Sequence, residues 1–322
     1  MNVGGRLRGC WSSKEPLSYF RLWWNSAHIP TGNNPRLAYN GVMRILLTND
    51  DGVYAPGLAA MERVLRRLGE VFVVAPLREQ SGVAHSITFL TPLQARKVYV
   101  NDKHWAWTID GSPADCVKLA VSTILPERPD LVVSGINGGH NAGINVLYSG
   151  TVAAAIEGAF NGITGIAVSL EYDENEPFEL AADLAVGVIE KILEQNNTAG
   201  RLYNINIPLS ALQNDMPEVK VVPMDAMQHW EMYERRTDPM GRSYYWLAGK
   251  HDPQQPKPKK PEQMTDLIAL ARGYVAVTPL NYDMTDRQSL QEMAAWDLTT
   301  QDDDTSHAPE HTGPRLRVCW RG

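Results

Sequence analysis

The sequence predicts an α/β fold with a mostly parallel sheet and helices on both faces. Three observations predict it. Short apolar runs recur between positions 43 and 208, segments with apolar residues at helical spacing separate them, and cap or turn residues mark the junctions. A strand buried on both faces reads as a continuous apolar run. Strands that alternate with helices favour parallel pairing and short right-handed crossovers.

The elements follow in order. Arg44-Ile-Leu-Leu-Thr-Asn49 is the first apolar run and reads as a buried strand. Leu58, Met61, Leu65 and Leu68 then recur at helical spacing, with Gly69 as the expected C-terminal stop. Val71-Phe-Val-Val74 is a second strand. Ser112-Pro-Ala-Asp115 has the form of a capping box with proline at the first helical position, and Val117, Val121 and Ile124 continue that helix. Leu131-Val-Val133 is the next strand, Thr151 to Phe160 a helix, and Ile166-Ala-Val-Ser169 a strand. Leu180, Leu184, Val188 and Ile192 mark a helix after Pro177, and Tyr203 to Ile207 a further strand. This Rossmann-like core spans 43–208.

From about Pro208 the pattern changes. Residues 209–294 read as a C-terminal part with a hairpin or arm region that serves oligomerisation. Pro253 to Pro261 reads as a Lys/Pro loop, and Tyr274-Val-Ala-Val277 as a late strand expected to pair as a hairpin arm with another subunit. Trp230, Tyr233, Tyr244, Tyr245 and Trp246 are either a satellite core or an interface, where Tyr and Trp are enriched. Residues 1–42 and 295–322 lack apolar periodicity and read as disordered extensions.

Composition excludes several classes. A net charge of −7 argues against a general nucleic-acid coat, which needs a basic face, but not against one small phosphorylated ligand. Cys10, Cys116 and Cys319 are odd in number and far apart, so a disulfide framework or a zinc site is not expected. A reducing compartment, the cytoplasm, fits that usage. No apolar run approaches the roughly 18 residues of a membrane span. There is no Gly-x-x-x-x-Gly-Lys-Ser/Thr loop, no Gly-x-Gly-x-x-Gly after the first strand and no Gly-x-Ser-x-Gly elbow.

In an open parallel sheet, ligands sit beyond the carboxyl ends of the strands. The first strand is followed by Asn49-Asp50-Asp51-Gly52 and the second by Gln80-Ser81-Gly82. The strand at 131–133 is followed by Ser134-Gly-Ile-Asn137-Gly-Gly-His-Asn141-Ala-Gly143. Asp-Asp-Gly is good turn chemistry, yet two adjacent carboxylates also repel unless a cation lies between them. Two carboxylates, a hydroxyl and an amide carbonyl form a hard oxygen set, suited to Mg²⁺ or Mn²⁺ rather than zinc. Residues 135–149 are expected to form a loop longer than the usual 2–6 residues or so. Its glycines let amides approach an anion, and Ser149-Gly150-Thr151 opens a helix whose N-terminus suits a phosphate, though Ser149 also reads as a plain cap. Phosphate or substrate contacts are expected from Asn49, Gly82, Gly138, Asn141, Ser149, Gly150 and Thr151. His85 and His140 read as hydrogen-bonding loop residues rather than ligands.

These residues resemble the SurE family of survival-protein nucleotidases. The resemblance runs from Met43 to about Leu280. It is carried by Leu47-Thr-Asn-Asp-Asp-Gly-Val-Tyr-Ala-Pro-Gly57, Gly111-Ser-Pro-Ala-Asp-Cys-Val117, Ser134-Gly-Ile-Asn137 and Tyr148-Ser-Gly-Thr-Val-Ala-Ala-Ala-Ile-Glu-Gly158. Arg236-Thr-Asp-Pro-Met-Gly241 and Gly273-Tyr-Val-Ala-Val-Thr-Pro279 extend it. Ser112 stands where threonine is usual, and Met264 where glycine is common. The resemblance implies one divalent metal ion per subunit held by Asp50, Asp51, Ser81 and Asn137. It implies hydrolysis of nucleoside 5′- and 3′-monophosphates and a homodimer or homotetramer with exchanged C-terminal segments. Asp50 and Asp51 are the catalytic candidates, and either suits the role of base. Rival readings are a hydrolase of another phosphate ester or of polyphosphate, a non-catalytic nucleotide-binding module, and an assembly protein.

Overall fold

A computed structural model describes residues 42–175, 177–195, 199–226, 231–251, 263–296 and 298. In chain order the elements are β1 (Met43–Thr48), α1 (Pro56–Leu65), β2 (Gly69–Pro76), β3 (Ala95–Val100), β4 (Lys103–Ile109), α2 (Pro113–Leu119), β5 (Leu131–Gly138), α3 (Gly150–Phe160), β6 (Thr164–Leu170), α4 (Phe178–Gln195), β7 (Leu202–Ile207), β8 (Val219–Val221), β9 (Glu231–Thr237), β10 (Ser243–His251), α5 (Asp266–Ala271), β11 (Val275–Leu280) and α6 (Arg287–Met293). The chain divides into two units, Met1–Tyr282 and Asp283–Gly322. Among the described residues the second holds α6, capped by the Asp286 carboxylate, which accepts from the Gln288 and Ser289 amides.

Nine strands form one sheet in the order β3-β4-β2-β1-β5-β6-β7-β11-β8. The pairs β4/β2, β2/β1, β1/β5, β5/β6 and β6/β7 are parallel, which is the expected α/β core. Strand order reverses at β1. The chain steps first to β2 on one side and later to β5 on the other. Two neighbouring loops therefore leave in opposite directions between β1 and β5, and a crevice opens there.

Strand alternation sends side chains to both faces. Ile45 and Leu47 of β1 pack with Leu58 and Met61 of α1 and with Ala181, Ala185 and Ile189 of α4. Leu46 points the other way, into a cluster with Val74, Cys116, Val117, Val132 and Ala154. Both faces are thus covered, which is why β1 can be apolar without a break.

Several expectations need correction. Gly69 does not stop α1, which ends at Leu65; it opens β2. A Cβ at Gly69 would meet the Met43 carbonyl oxygen at 2.0 Å, so close approach of β2 to β1 is what requires glycine. The helix from Ser112 is not continuous to Ile124: α2 ends at Leu119 and Ala120–Ile124 forms a wider π turn. β5 runs to Gly138, so the expected 135–149 loop is shorter and contains a 3₁₀ turn at Gly143–Leu147. The late strand does not wait for another subunit. β11 pairs antiparallel with β7 and parallel with β8 of its own chain. Its residues Val275, Ala276 and Val277 are buried there, so the sheet's own edge satisfies the strand. The hairpin β3–β4 was not expected; its short strands mix charged and aromatic residues and carry weak alternation. The expectations for residues 1–41, for Trp230, for Pro253 to Pro261 and for residues 297 and 299–322 lie outside the described residues.

Candidate active site

The first loop turns at once after β1. Asn49 is buried and its side-chain nitrogen donates to the Gly52 carbonyl at 3.0 Å, closing a tight turn around Asp50 and Asp51. Gly52 has φ +101, a left-handed conformation that glycine adopts freely. The Asn49 Oδ1 atom is buried with no protein partner. Such an atom is costly to leave bare.

Asp50 is 3% exposed and both carboxylate oxygens are engaged by one residue. The Thr151 amide donates to Oδ2 at 3.1 Å, and the Thr151 hydroxyl donates to Oδ1. The N-terminus of α3 thus orients the carboxylate, and its dipole favours the negative charge. Burial nevertheless pushes the Asp50 pKa up; the Thr151 bonds oppose this and the nearby Glu79 charge adds to it. Gly150 is required by contact: a Cβ there would lie 2.9 Å from the Asp50 Cβ and 3.2 Å from the Gln80 carbonyl oxygen. Asp51 is half-buried beside it.

The second loop joins the first. The Gln80 amide donates to the Asp50 carbonyl at 2.7 Å, and the Ala84 amide to the Tyr148 carbonyl at 3.0 Å. Ser81 and Gly82 are exposed between these two bonds. The Ser81 hydroxyl donates to Glu79 at 2.8 Å. On β5, half-buried Asn137 donates its side-chain nitrogen to the Gly139 carbonyl at 2.7 Å, which leaves the amide oxygen at the other end. Gly138 is exposed.

The remaining expected contacts divide. Ser149 caps α3 by accepting from the Val152 amide at 3.1 Å, and Thr151 gives both its donors to Asp50. Among the described residues the Gly150 amide carries no such bond. Asn141 is buried in an amide network: its backbone N–H donates to Asn206 and its side chain to Ser169, both at 2.8 Å, while its carbonyl accepts from Asn204. That side chain braces the loop. The structure therefore brings Asp50, Gly150, Thr151 and the Gln80 backbone into direct contact. It sets Asp51 and Ser81 on the loops that border them and Asn137 at the carboxyl end of β5.

The oxygen set fits a hard divalent cation. Each Asp50 oxygen keeps a further lone-pair position beyond its bond to Thr151. A cation would offset the burial cost of that carboxylate and give the Asn49 and Asn137 oxygens something to face. Among the described residues no three His, Cys, Asp or Glu side chains gather. His140 Nε2 donates to the Ile207 carbonyl at 3.0 Å, and burial lowers its pKa. Sequence reasoning missed Glu79 beside Asp50 and the contact of His85 with Glu157. The second left no local signal, because His85 and Glu157 lie 72 positions apart.

Comparisons with known proteins agree with this geometry. The model of the family "Survival protein SurE" matches residues 45–232. The chain is 54% identical over 257 residues to the 5′-nucleotidase SurE of Rhodopirellula baltica, covering 80% of this chain and 99% of the relative. It is 42% identical over 258 residues to the 5′-nucleotidase SurE of Desulforudis audaxviator, covering 79% and 97%. The SurE protein of Aquifex aeolicus, whose crystal structure is known, superposes with a TM-score of 0.66 at 39% identity, covering 78% of this chain and 98% of that one. A motif set that meets at one sheet edge and a match across nearly the whole length of these relatives place the chain in the SurE family.

Proposed function

We propose that the chain is a divalent-metal-dependent 5′-nucleotidase that hydrolyses nucleoside 5′-monophosphates, and 3′-monophosphates as well, to nucleoside and inorganic phosphate. The observation that carries this reading is the Asp50 carboxylate, buried beside Asp51 at the switch-point crevice and oriented by the N-terminus of α3. The names of the Rhodopirellula and Desulforudis relatives support the substrate class.

Asp50, Asp51, Ser81 and Asn137 would hold one Mg²⁺ or Mn²⁺ ion. When bound, the ion supplies Lewis-acid polarisation of a phosphoryl oxygen and neutralises charge. The protein's own groups do the rest. Asp50, with both oxygens bonded, keeps a fixed orientation. Asp51, half-buried, is the better placed of the two to take a proton from the attacking water. The Gly150 amide and the Gly82 and Gly138 backbone face the phosphoryl oxygens, while the fully buried Asn49 side chain holds the turn that carries Asp50 and Asp51. Water adds to phosphorus, the ester P–O bond breaks, and the nucleoside leaves as its alcohol. Among the described residues no helix is long and apolar enough to cross a membrane. Cys116 is free and buried, as suits a protein of the reducing cytoplasm.

The test is phosphate release from a panel of 5′- and 3′-nucleoside monophosphates, nitrophenyl phosphate and polyphosphate, with Mg²⁺, with Mn²⁺ and with chelator. Turnover of the monophosphates that vanishes on chelation is expected. A preference for polyphosphate moves the reading to that substrate. Tight nucleotide binding without turnover would make the protein a binding module.

A further inference from the structure

Glu157 lies on α3, six residues beyond Thr151, and is 4% exposed. Three segments converge on its carboxylate. His85 Nε2 lies 3.0 Å from Oε2, Lys118 Nζ lies 3.2 Å from Oε1, and Asn161 Nδ2 lies 3.1 Å from Oε1. Burial works to raise the Glu157 pKa, but the bonds from His85 and Lys118 hold it below the ordinary value. An ionised carboxylate only accepts, so the His85 Nε2 carries the hydrogen and donates.

The loop that ends at His85 is the one that bears Ser81. Its first anchor is the Gln80 amide on the Asp50 carbonyl, and its second is the Ala84 amide on the Tyr148 carbonyl. Between them only the Ser81 hydroxyl's bond to Glu79 at 2.8 Å ties the arch down: Ser81 and Gly82 are exposed, Gly82 has φ +73, and a Cβ on it would find no atom within 4 Å. Ala84 sits at φ +55, a conformation that a residue with a Cβ leaves unless it is held. It is held by its own amide bond to Tyr148 on one side and by its neighbour His85, clamped to Glu157, on the other.

We propose that the His85–Glu157 bond is the third anchor of this loop and sets where the Ser81 hydroxyl stands relative to Asp50, so that His85 and Glu157 are positioning residues of the metal site. The inference rests on the metal reading given above. One rigid helix then references both halves of the site: its first turn fixes Asp50 through Thr151, and its second turn onward fixes the Ser81 loop through Glu157. Lys118 meets the same carboxylate from α2, which carries no part of the site, and so provides a control.

Titrating the metal-free full chain with Mn²⁺ by calorimetry, alongside its metal-free melting temperature, tests the idea without reference to turnover. His85→Leu should weaken Mn²⁺ binding about tenfold, the scale seen for groups that orient metal ligands, with the melting temperature near that of the wild type. His85→Gln, which keeps a donor near the Nε2 position, should restore the affinity. Lys118→Met should leave it unchanged. Wild-type affinity in His85→Leu overturns the proposal, as does an equal loss in Lys118→Met, which would make the effect general destabilisation. If His85→Leu does not fold, His85→Ala decides: a tenfold loss upholds the anchor and wild-type affinity overturns it. A wild-type protein that binds no Mn²⁺ overturns the metal reading and this proposal together.

Discussion

Asp50 and Asp51 are adjacent and chemically identical, yet the fold treats them differently. Asp50 is buried with both oxygens bonded to Thr151; Asp51 is half-exposed. Asp50→Asn keeps the shape but removes the charge that a cation needs, so nucleotide turnover should fall about 100-fold or more. Its melting curve without metal should change little, because burial already disfavours that charge. Near-wild-type turnover in Asp50→Asn, measured with saturating Mg²⁺, would remove Asp50 from the site. His140 makes a second residue-scale prediction. Burial lowers its pKa from the ordinary 6.5. The unfolded chain then takes up the proton first, so the contribution is intact above about pH 6.5 and is lost as pH falls towards the depressed native value. His140→Gln should flatten the decline of stability below about pH 6.5, read from urea unfolding at a series of pH values. An unchanged pH slope would mean that the ring is not held neutral by its surroundings.

At the scale of elements, α3 must lie close against the sheet for its first turn to reach Asp50. Gly165 on β6 permits this, because a Cβ there would meet the Ala155 carbonyl oxygen of α3 at 2.0 Å. No side chain can yield, since the obstacle is backbone. Gly165→Ala should therefore lift α3 from β6 and destabilise the protein by about 1–3 kcal/mol, the usual range for overpacking. Chemical denaturation checks the size, and a wild-type midpoint would show that α3 can shift without cost. The α2 cap works in a similar way at longer range. Asp115 accepts from the Ser112 amide as the box requires, and also from the Thr88 amide and hydroxyl. The local cap thereby becomes a tie to the segment that follows the Ser81 loop.

For the whole molecule, the β9–β10 hairpin is the part that lacks an internal explanation. It is a separate two-stranded sheet, and Tyr233, Tyr244, Tyr245, Trp246 and Leu247 on it are exposed. A bare two-stranded hairpin is marginal in water. We predict a homodimer or homotetramer with the 224–279 segment as its main contact. Light scattering at micromolar concentration should report it, and replacing Tyr244 and Trp246, two alternate residues on β10, by serine should shift the mass downwards while Mn²⁺ still binds. A monomer mass for the intact protein would end this reading. We also predict that a shortened chain beginning at Met43 keeps its melting temperature and turnover, because the family match starts at residue 45. Loss of solubility in that chain would make residues 1–42 part of the fold.

What the sequence determined by itself was the alternation of buried strands and helices, the family, and the residue types at the strand ends. These are local signals: a strand buried on both faces is apolar throughout, and capping boxes and close-approach glycines leave their mark within a few positions. The capping box at Ser112 and Asp115 was legible for that reason. Other features were decided only in three dimensions. The role of Gly69 depends on Met43, 26 positions earlier, and looked like a helix stop in one dimension. The placement of β11 depended on free strand edges at β7 and β8, which no pattern within Val275–Leu280 reveals. The candidate site shows the same division. Asp50 and Thr151 were each legible as residues of interest, but their bond spans 101 positions. Thr151 was expected to face phosphate and instead gives both donors to Asp50. Hydrogen-bond partners are set by which chain segments the sheet order brings together, and the sheet order is a property of the whole packed molecule.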